Sequence, residues 1–319
     1  MNSLSCFRLL LCLTAALFLT LGASAQTQAG AIKAVKITGE VFRLDATGAK
    51  TPVTEGQSLI ETDTVETGAG AGVVLVFMNG SSVKLAENSR LAVEEFKMDP
   101  LAENISVAGL QGEPSLSKTR LNLAYGEMVG NVKKLNTASQ FDVKTPVGAA
   151  GIRGTTFRIL LRFEANGQVA FQLSTSEGRV VFAGTVQVAG TGETTETGAA
   201  QEVEVAAGQE VTAVAQVNTA TGTVTAVQVT AAQPISEAAT QAITAAVTQA
   251  ITQATQSTTF TQTEQQQAAQ QTTTPGNTPS DQSSTNQPST QEQQPKPTQN
   301  QNQTTPPTVL DTTARSGSG

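Results

Sequence analysis

The residues with catalytic potential in this sequence are carboxylates and one arginine. Glu61 and Asp63 stand two apart, Glu94 adjoins Glu95, and Asp142 lies between Phe141 and Val143. Residues i and i+2 of an extended segment share a face. Glu61 and Asp63 would then suit an acid–base pair or a cation. A glycosidase needs two facing carboxylates roughly 5–10 Å apart. The alternative is a pair of solvated charges at a strand edge. Asp45-Ala46-Thr47-Gly48 offers too few oxygen ligands for a calcium loop. Arg153 follows Gly151 and precedes Gly154. It would either clamp a carboxylate of a partner or glycan with its planar fork, or tie neighbouring carbonyls or an acid across a turn. The Gly-rich stretch 148–154 is not a phosphate loop, because it lacks lysine and no helix pattern follows.

Other chemistries are excluded by composition. The 319 residues contain no His, so imidazole acid–base catalysis, a Ser-His-Asp triad and a His metal site are all closed. The two cysteines are Cys6 and Cys12. The chain beyond them has no disulfide, thiolate nucleophile or Cys-ligated zinc. No cofactor or metal is expected. The net charge is −7, and aromatics are limited to eleven Phe and one Tyr. Nucleic acid is therefore not an expected partner, since it demands a basic footprint and stacking residues.

Something must position these groups, and the elements follow from pattern. Arg8 precedes the apolar run Leu9–Leu21, and Ala23-Ser24-Ala25 supplies small residues for cleavage. Residues 1–25 read as a secretory signal peptide. The run is about 13 residues, short of the roughly 18 needed to span a bilayer, so no transmembrane segment is expected to be retained. Losing Arg8 leaves 18 basic against 26 acidic residues. An exported chain without cysteine suits the bacterial periplasm or cell surface.

After a linker at 26–34, period-two alternation dominates from Val35 to about residue 230. Leu121, Leu123 and Tyr125 alternate with Asn122 and Ala124. Phe157, Ile159, Leu161 and Phe163 alternate with Arg158 and Arg162. Such alternation sends one set to a core and the other to water. Val73–Met78 is continuously apolar and reads as a strand buried on both faces. Asn79-Gly80 and Asn166-Gly167 predict hairpins with type I′ turns. The fold class is all-β: a short-strand sandwich, roll or short solenoid. Residues 97–118, with Pro100 and Pro114, interrupt it as a loop excursion, read as a variable surface loop or a binding loop.

Ile235, Ala239, Ile243, Val247 and Ile251 recur every four residues, predicting a helix over 235–256 with Ser236 as its N-cap. Its narrow stripe would pack on its own domain or pair with a second copy. Residues 257–319 are rich in Gln, Thr, Ser, Asn and Pro, and hold seven of the twelve prolines. They read as a disordered tail.

One segment carries a resemblance. Phe141–Ile159 reads FDVKTPVGAAGIRGTTFRI. Thr145-Pro146 ends a strand, and Gly148, Gly151 and Gly154 permit a tight small-residue crossing. TPVGAAGIRGTTF resembles the signature of the FecR-like domain. That assigns the family motif to Thr145, Pro146, Gly148, Gly151, Arg153, Gly154, Thr155 and Phe157. Gly56–Gly68, Val76–Leu85, Leu123–Glu127, Glu177–Val180 and Ala207–Val211 resemble its other elements in order. The resemblance implies an extracytoplasmic all-β domain without catalytic residues. In sensor members such a domain follows one transmembrane helix and relays a signal from an outer-membrane receptor to a sigma factor. This chain departs from that plan in its cleavable signal and missing span.

The expectation is an exported, non-catalytic FecR-like module that binds or scaffolds in the cell envelope, with a protein or polysaccharide as partner. Arg153, Glu61 and Asp63 are its candidate binding residues. A regulatory subunit working with a separate membrane partner is the first alternative. A carbohydrate-binding or hydrolase module is the second, disfavoured by the scarcity of aromatic platforms.

Overall fold

Alternating apolar strands can bury one face only against another layer, and here that layer is a second sheet. The computed structural model describes residues 27–164, 166–184, 201–218 and 223–273. The signal-peptide reading and most of the tail lie outside them.

The first sheet runs β4 (Lys50–Pro52), β3 (Val41–Leu44), β6 (Thr64–Thr67), β9 (Arg90–Met98), β11 (Ser117–Asn131), β12 (Gln140–Thr145), β13 (Gly148–Ile152), β16 (Arg179–Gly184) and β17 (Gln201–Ala206). The second runs β5 (Ser58–Leu59), β2 (Ile32–Thr38), β7 (Gly72–Phe77), β8 (Ser82–Leu85), β11 again, β14 (Thr156–Phe163), β15 (Gln168–Glu177), β18 (Gln209–Asn218) and β19 (Thr223–Val229). β1 (Gln28–Ala29) adds to β9 within the stretch expected to be a linker, and β20 (Gln233–Pro234) adds to β18. β11 pairs parallel to β12 and antiparallel to its other partners. The strands enclose one core, in which Phe77 packs edge-on to Phe96 with ring centroids 5.2 Å apart, and Phe171 stacks on Phe182 at 4.7 Å. The expected all-β class holds.

β11 joins the layers, and Gly126 is its corner. Residues before it pair with β9 and β12, residues after it with β8 and β14. Gly126 has φ +99, and a Cβ there would lie 2.4 Å from Ser89 Cα. The corner breaks the alternation, with a register shift between Leu123 and Tyr125. Leu121 and Leu123 are buried, but Tyr125 is 38% exposed instead of lying on the core face. Phe163, expected inside, is 51% exposed, because β14 runs past its last β11 partner at Leu161. Both Asn-Gly pairs do sit in hairpins. Gly80 (φ 87) donates to Phe77 O at 2.8 Å and Gly167 (φ 78) to Glu164 O at 3.0 Å, so each Asn-Gly pair ends its turn instead of forming the centre of a type I′ turn. The Asn side chains accept from the backbone two residues on, at Ser81 N (3.0 Å) and Gln168 N (3.0 Å).

The second sheet is covered on its outer face by the C-terminal segment. α1 (Glu237–Ala246) packs on β14 and β15, and the following π-helical turn Val247–Ile251 packs on β8 and β11. α2 (Thr252–Ser257) packs on β7, and α3 (Gln262–Thr273) on β1. This cover is why β7 is buried on both faces. Ser236 caps α1 as expected, accepting from Ala239 N at 3.3 Å. Ala239, Ile243, Ala246, Ile251 and Ala254 are all buried at home, so the stripe that could have paired with a second copy is already covered.

The ordered chain continues past 257 into what reads as tail. β21 (Thr259–Phe260) pairs with β10 (Ile105–Ser106), and Phe260 is fully buried. Thr261 and Glu264 form a capping box: Glu264 N donates to Thr261 Oγ1 (3.2 Å) and Thr261 N donates to Glu264 Oε2 (2.8 Å). Gln265, 1% exposed, accepts from Leu101 N at 2.9 Å and donates to Asp99 O at 3.2 Å. Composition alone undervalues this segment because the burial comes from its docking site. The excursion is thus not all loop: β9 runs to Met98, β11 starts at Ser117, and the middle clasps the chain's own C-terminal segment.

Candidate functional site

The acidic pair is not a pair. Residues 61 and 62 form a turn in which Thr62 has φ 78, so Glu61 and Asp63 do not share a strand face. Asp63 closes the turn, accepting from Ile60 N at 3.0 Å, and its side chain is 1% exposed. Arg43 Nε approaches its other oxygen at 2.8 Å, an ion pair without good hydrogen-bond alignment. Glu61 instead accepts from Phe96 N at 3.4 Å. Burial pushes the Asp63 carboxyl above its ordinary 3.8, against the opposing pull of the Ile60 N–H and Arg43.

A raised folded-state pKa gives stability that is complete below the ordinary Asp value and lost as pH rises through the folded one. Asp63→Asn removes that limb. Urea midpoints of wild type and variant, compared just below and then above this range, should show only the wild type losing ground on this account. Parallel pH profiles would refute the assignment.

Two of the remaining flagged carboxylates are committed to cations. Glu94 meets Lys144 at 2.7 Å, and Glu95 meets Lys118 (3.1 Å) and Arg120 (3.3 Å). Asp142 is half-buried, and that burial raises its pKa against Arg120, Lys118 and Lys144. Among the described residues no cluster of three or more Asp, Glu, His or Cys could hold a metal.

Arg153 is exposed and uses its fork inward. Its Nη2 donates to Thr137 O (2.6 Å) and Ser139 O (3.2 Å), tying the carbonyls across the turn between the sheets. The rest of the motif builds the hairpin and strand that lead into that turn. Pro146-Val147 closes the β12–β13 hairpin, with Thr145 Oγ1 donating to Gly148 O at 2.9 Å. The crossing expected at 148–154 is instead mostly strand: β13 carries Gly148–Ile152, including Gly151, paired on both edges. A Cβ on Gly148 would lie 2.4 Å from Ala183 O. Gly154 (φ 63) makes the actual crossing, Thr155 Oγ1 donates to Arg179 O at 3.0 Å, and Phe157 is fully buried.

Two features were not legible as sites. The first is a polar relay on the outer face of the second sheet. Arg158, expected in water, is 8% exposed under α1. Its Nε donates to Glu127 Oε1 (2.7 Å) and its Nη1 to Gln172 Oε1 (2.9 Å). Gln172 Nε2 donates to Glu210 Oε2 (2.9 Å), which also accepts from Ser174 Oγ (3.0 Å) and Ser236 Oγ (3.3 Å). The relay ends on the residue that caps α1 and stitches the helix to the sheet.

The second is an open groove at the β11 corner. Tyr125, Leu160 and Phe163 give it apolar surface, and Glu87, Glu127 and Glu164 line it beside Arg162. The only sequence signal was that Tyr125 is the sole tyrosine of the chain.

Fold and groove together define a two-sheet β domain clasped by its own C-terminal helices, with an aromatic, acid-edged groove at the seam. Residues 63–181 match the family described as FecR protein. No curated protein matches the chain. Two crystal structures, each described as a "putative anti-sigma factor" from Parabacteroides distasonis ATCC 8503, are similar at 12% identity, with TM-scores of 0.32 and 0.34. The matches cover 53% and 58% of this chain, and 59% and 64% of those chains.

Proposed function

We propose that this chain is an exported, non-catalytic FecR-domain module that acts by binding in the cell envelope. The carrying observation is that the flagged acids Glu61, Asp63, Glu94 and Glu95 are each held by a backbone N–H or a cation in the fold. Glu95 and Asp142 stand in register on β9 and β12 with Arg120 of β11 between them, so a cation separates the two carboxylates. Export rests on the signal pattern of residues 1–25. No helix among the described residues is long and apolar enough to cross a membrane.

Affinity capture from native envelope with the full chain lacking residues 1–25 should retain a protein or polysaccharide. The same preparation should release no soluble sugar from envelope polymers, and Glu61→Gln should leave that baseline unchanged. Hydrolysis that vanishes in Glu61→Gln would overturn the reading. A second reading, a regulatory subunit in cell-surface signalling, is favoured by the match of residues 63–181 to the FecR protein family. It predicts capture of an inner-membrane or receptor protein rather than a polymer.

A further inference from the structure

We infer that the seam groove is a docking site for an extended, lysine- or arginine-bearing segment of a partner protein. This rests on the binding-module reading and names its partner class. Tyr125 and Phe163 are two of the five exposed large hydrophobics among the described residues, and both line this one groove. Aromatic faces presented to solvent attract cations and bury area at small entropic cost.

Charge points the same way. Glu87, Glu127 and Glu164 line the groove against Arg162 alone. Glu127 is already engaged by Arg158, and Glu87 accepts from Gly70 N at 2.6 Å while remaining exposed. Glu164 is exposed at the mouth. The whole chain is acidic, which favours approach of a cationic partner.

Geometry argues for an extended occupant. The β11–β14 ladder stops at Gly126–Leu161, where β11 turns into the other sheet, while β14 continues to Phe163. A strand laid along Arg162 and Phe163 would extend a ladder that β11 has left, with side chains alternating between the groove and solvent.

Tyr125, with no tryptophan in the chain, is a built-in reporter of this groove. Its emission is followed while the chain is titrated with a short peptide alternating lysine and leucine. The matched glutamate–leucine peptide and an envelope oligosaccharide are run in parallel. The lysine peptide should give a saturable, salt-weakened change, and the other two none. Phe163→Ala and Glu164→Lys, both at exposed positions, should each weaken binding at least about tenfold with unchanged thermal midpoints, and Phe163→Tyr should restore it. Equal affinity in wild type and both variants would overturn the groove assignment while leaving a binding module standing. A response to the oligosaccharide alone would overturn the partner class. Concentration-dependent dimerisation abolished by Phe163→Ala would make the occupant a second copy. Silence with every probe, together with envelope capture by the same protein, would refute this inference alone. Silence in both would refute the binding reading as well.

Discussion

Phe157→Ala should destabilise the protein by about 3–5 kcal/mol, the range for emptying a fully buried aromatic site. Phe157 is fully buried and stands where the motif hands the chain from the first sheet to the second. Gly130, its partner on β11, has room only because it lacks a side chain: a Cβ there would lie 2.4 Å from the Phe157 ring. The two positions are coupled, and the void left by alanine is walled by rigid ladders that cannot collapse into it. Denaturant unfolding should show a lower midpoint with little change in slope. A loss under about 1 kcal/mol would mean that the site relaxes and that Phe157 is not a keystone of the sandwich.

Gly126→Ala should cost roughly 2–5 kcal/mol, combining a side chain at positive φ with overlap against a neighbouring strand. The clash is with Ser89 backbone at 2.4 Å, so no flexible side-chain tip can swing away. Ser89 is itself fixed. Its Oγ accepts from Glu127 N at 3.0 Å, and its N donates to Thr67 Oγ1 at 2.9 Å. Relief must come from the corner opening, which would move Tyr125. The variant should therefore show both a lower unfolding midpoint and altered tyrosine emission. Unchanged emission with lost stability would place the strain elsewhere.

The sequence was most informative where a single periodicity governed a whole element. The apolar run Val73–Met78 supplies the doubly buried strand β7, and Ser236 caps the helix that it precedes. The motif Thr145–Phe157 does organise the passage between the sheets, with Arg153 as a fork onto carbonyls. It was least informative where local pattern and long-range contact disagree. Arg158 has the alternation of a solvent-facing residue, yet a helix eighty positions later lies over it. Thr261 and Glu264 spelled a capping box inside a Gln- and Thr-rich stretch that composition alone assigns to the tail. Glu61 and Asp63 needed an extended backbone to converge, and a single positive φ at Thr62 removed it.

The amino-acid order by itself determined the class of fold and the hairpin positions, because each depends on residue type or on neighbours a few places away. Which polar side chains are buried, and where two aromatics meet water, was decided only in three dimensions. A corner glycine sets which face of β11 turns outward. The surface that the C-terminal helices cover, and the groove they leave open, follow from contacts between segments more than a hundred residues apart.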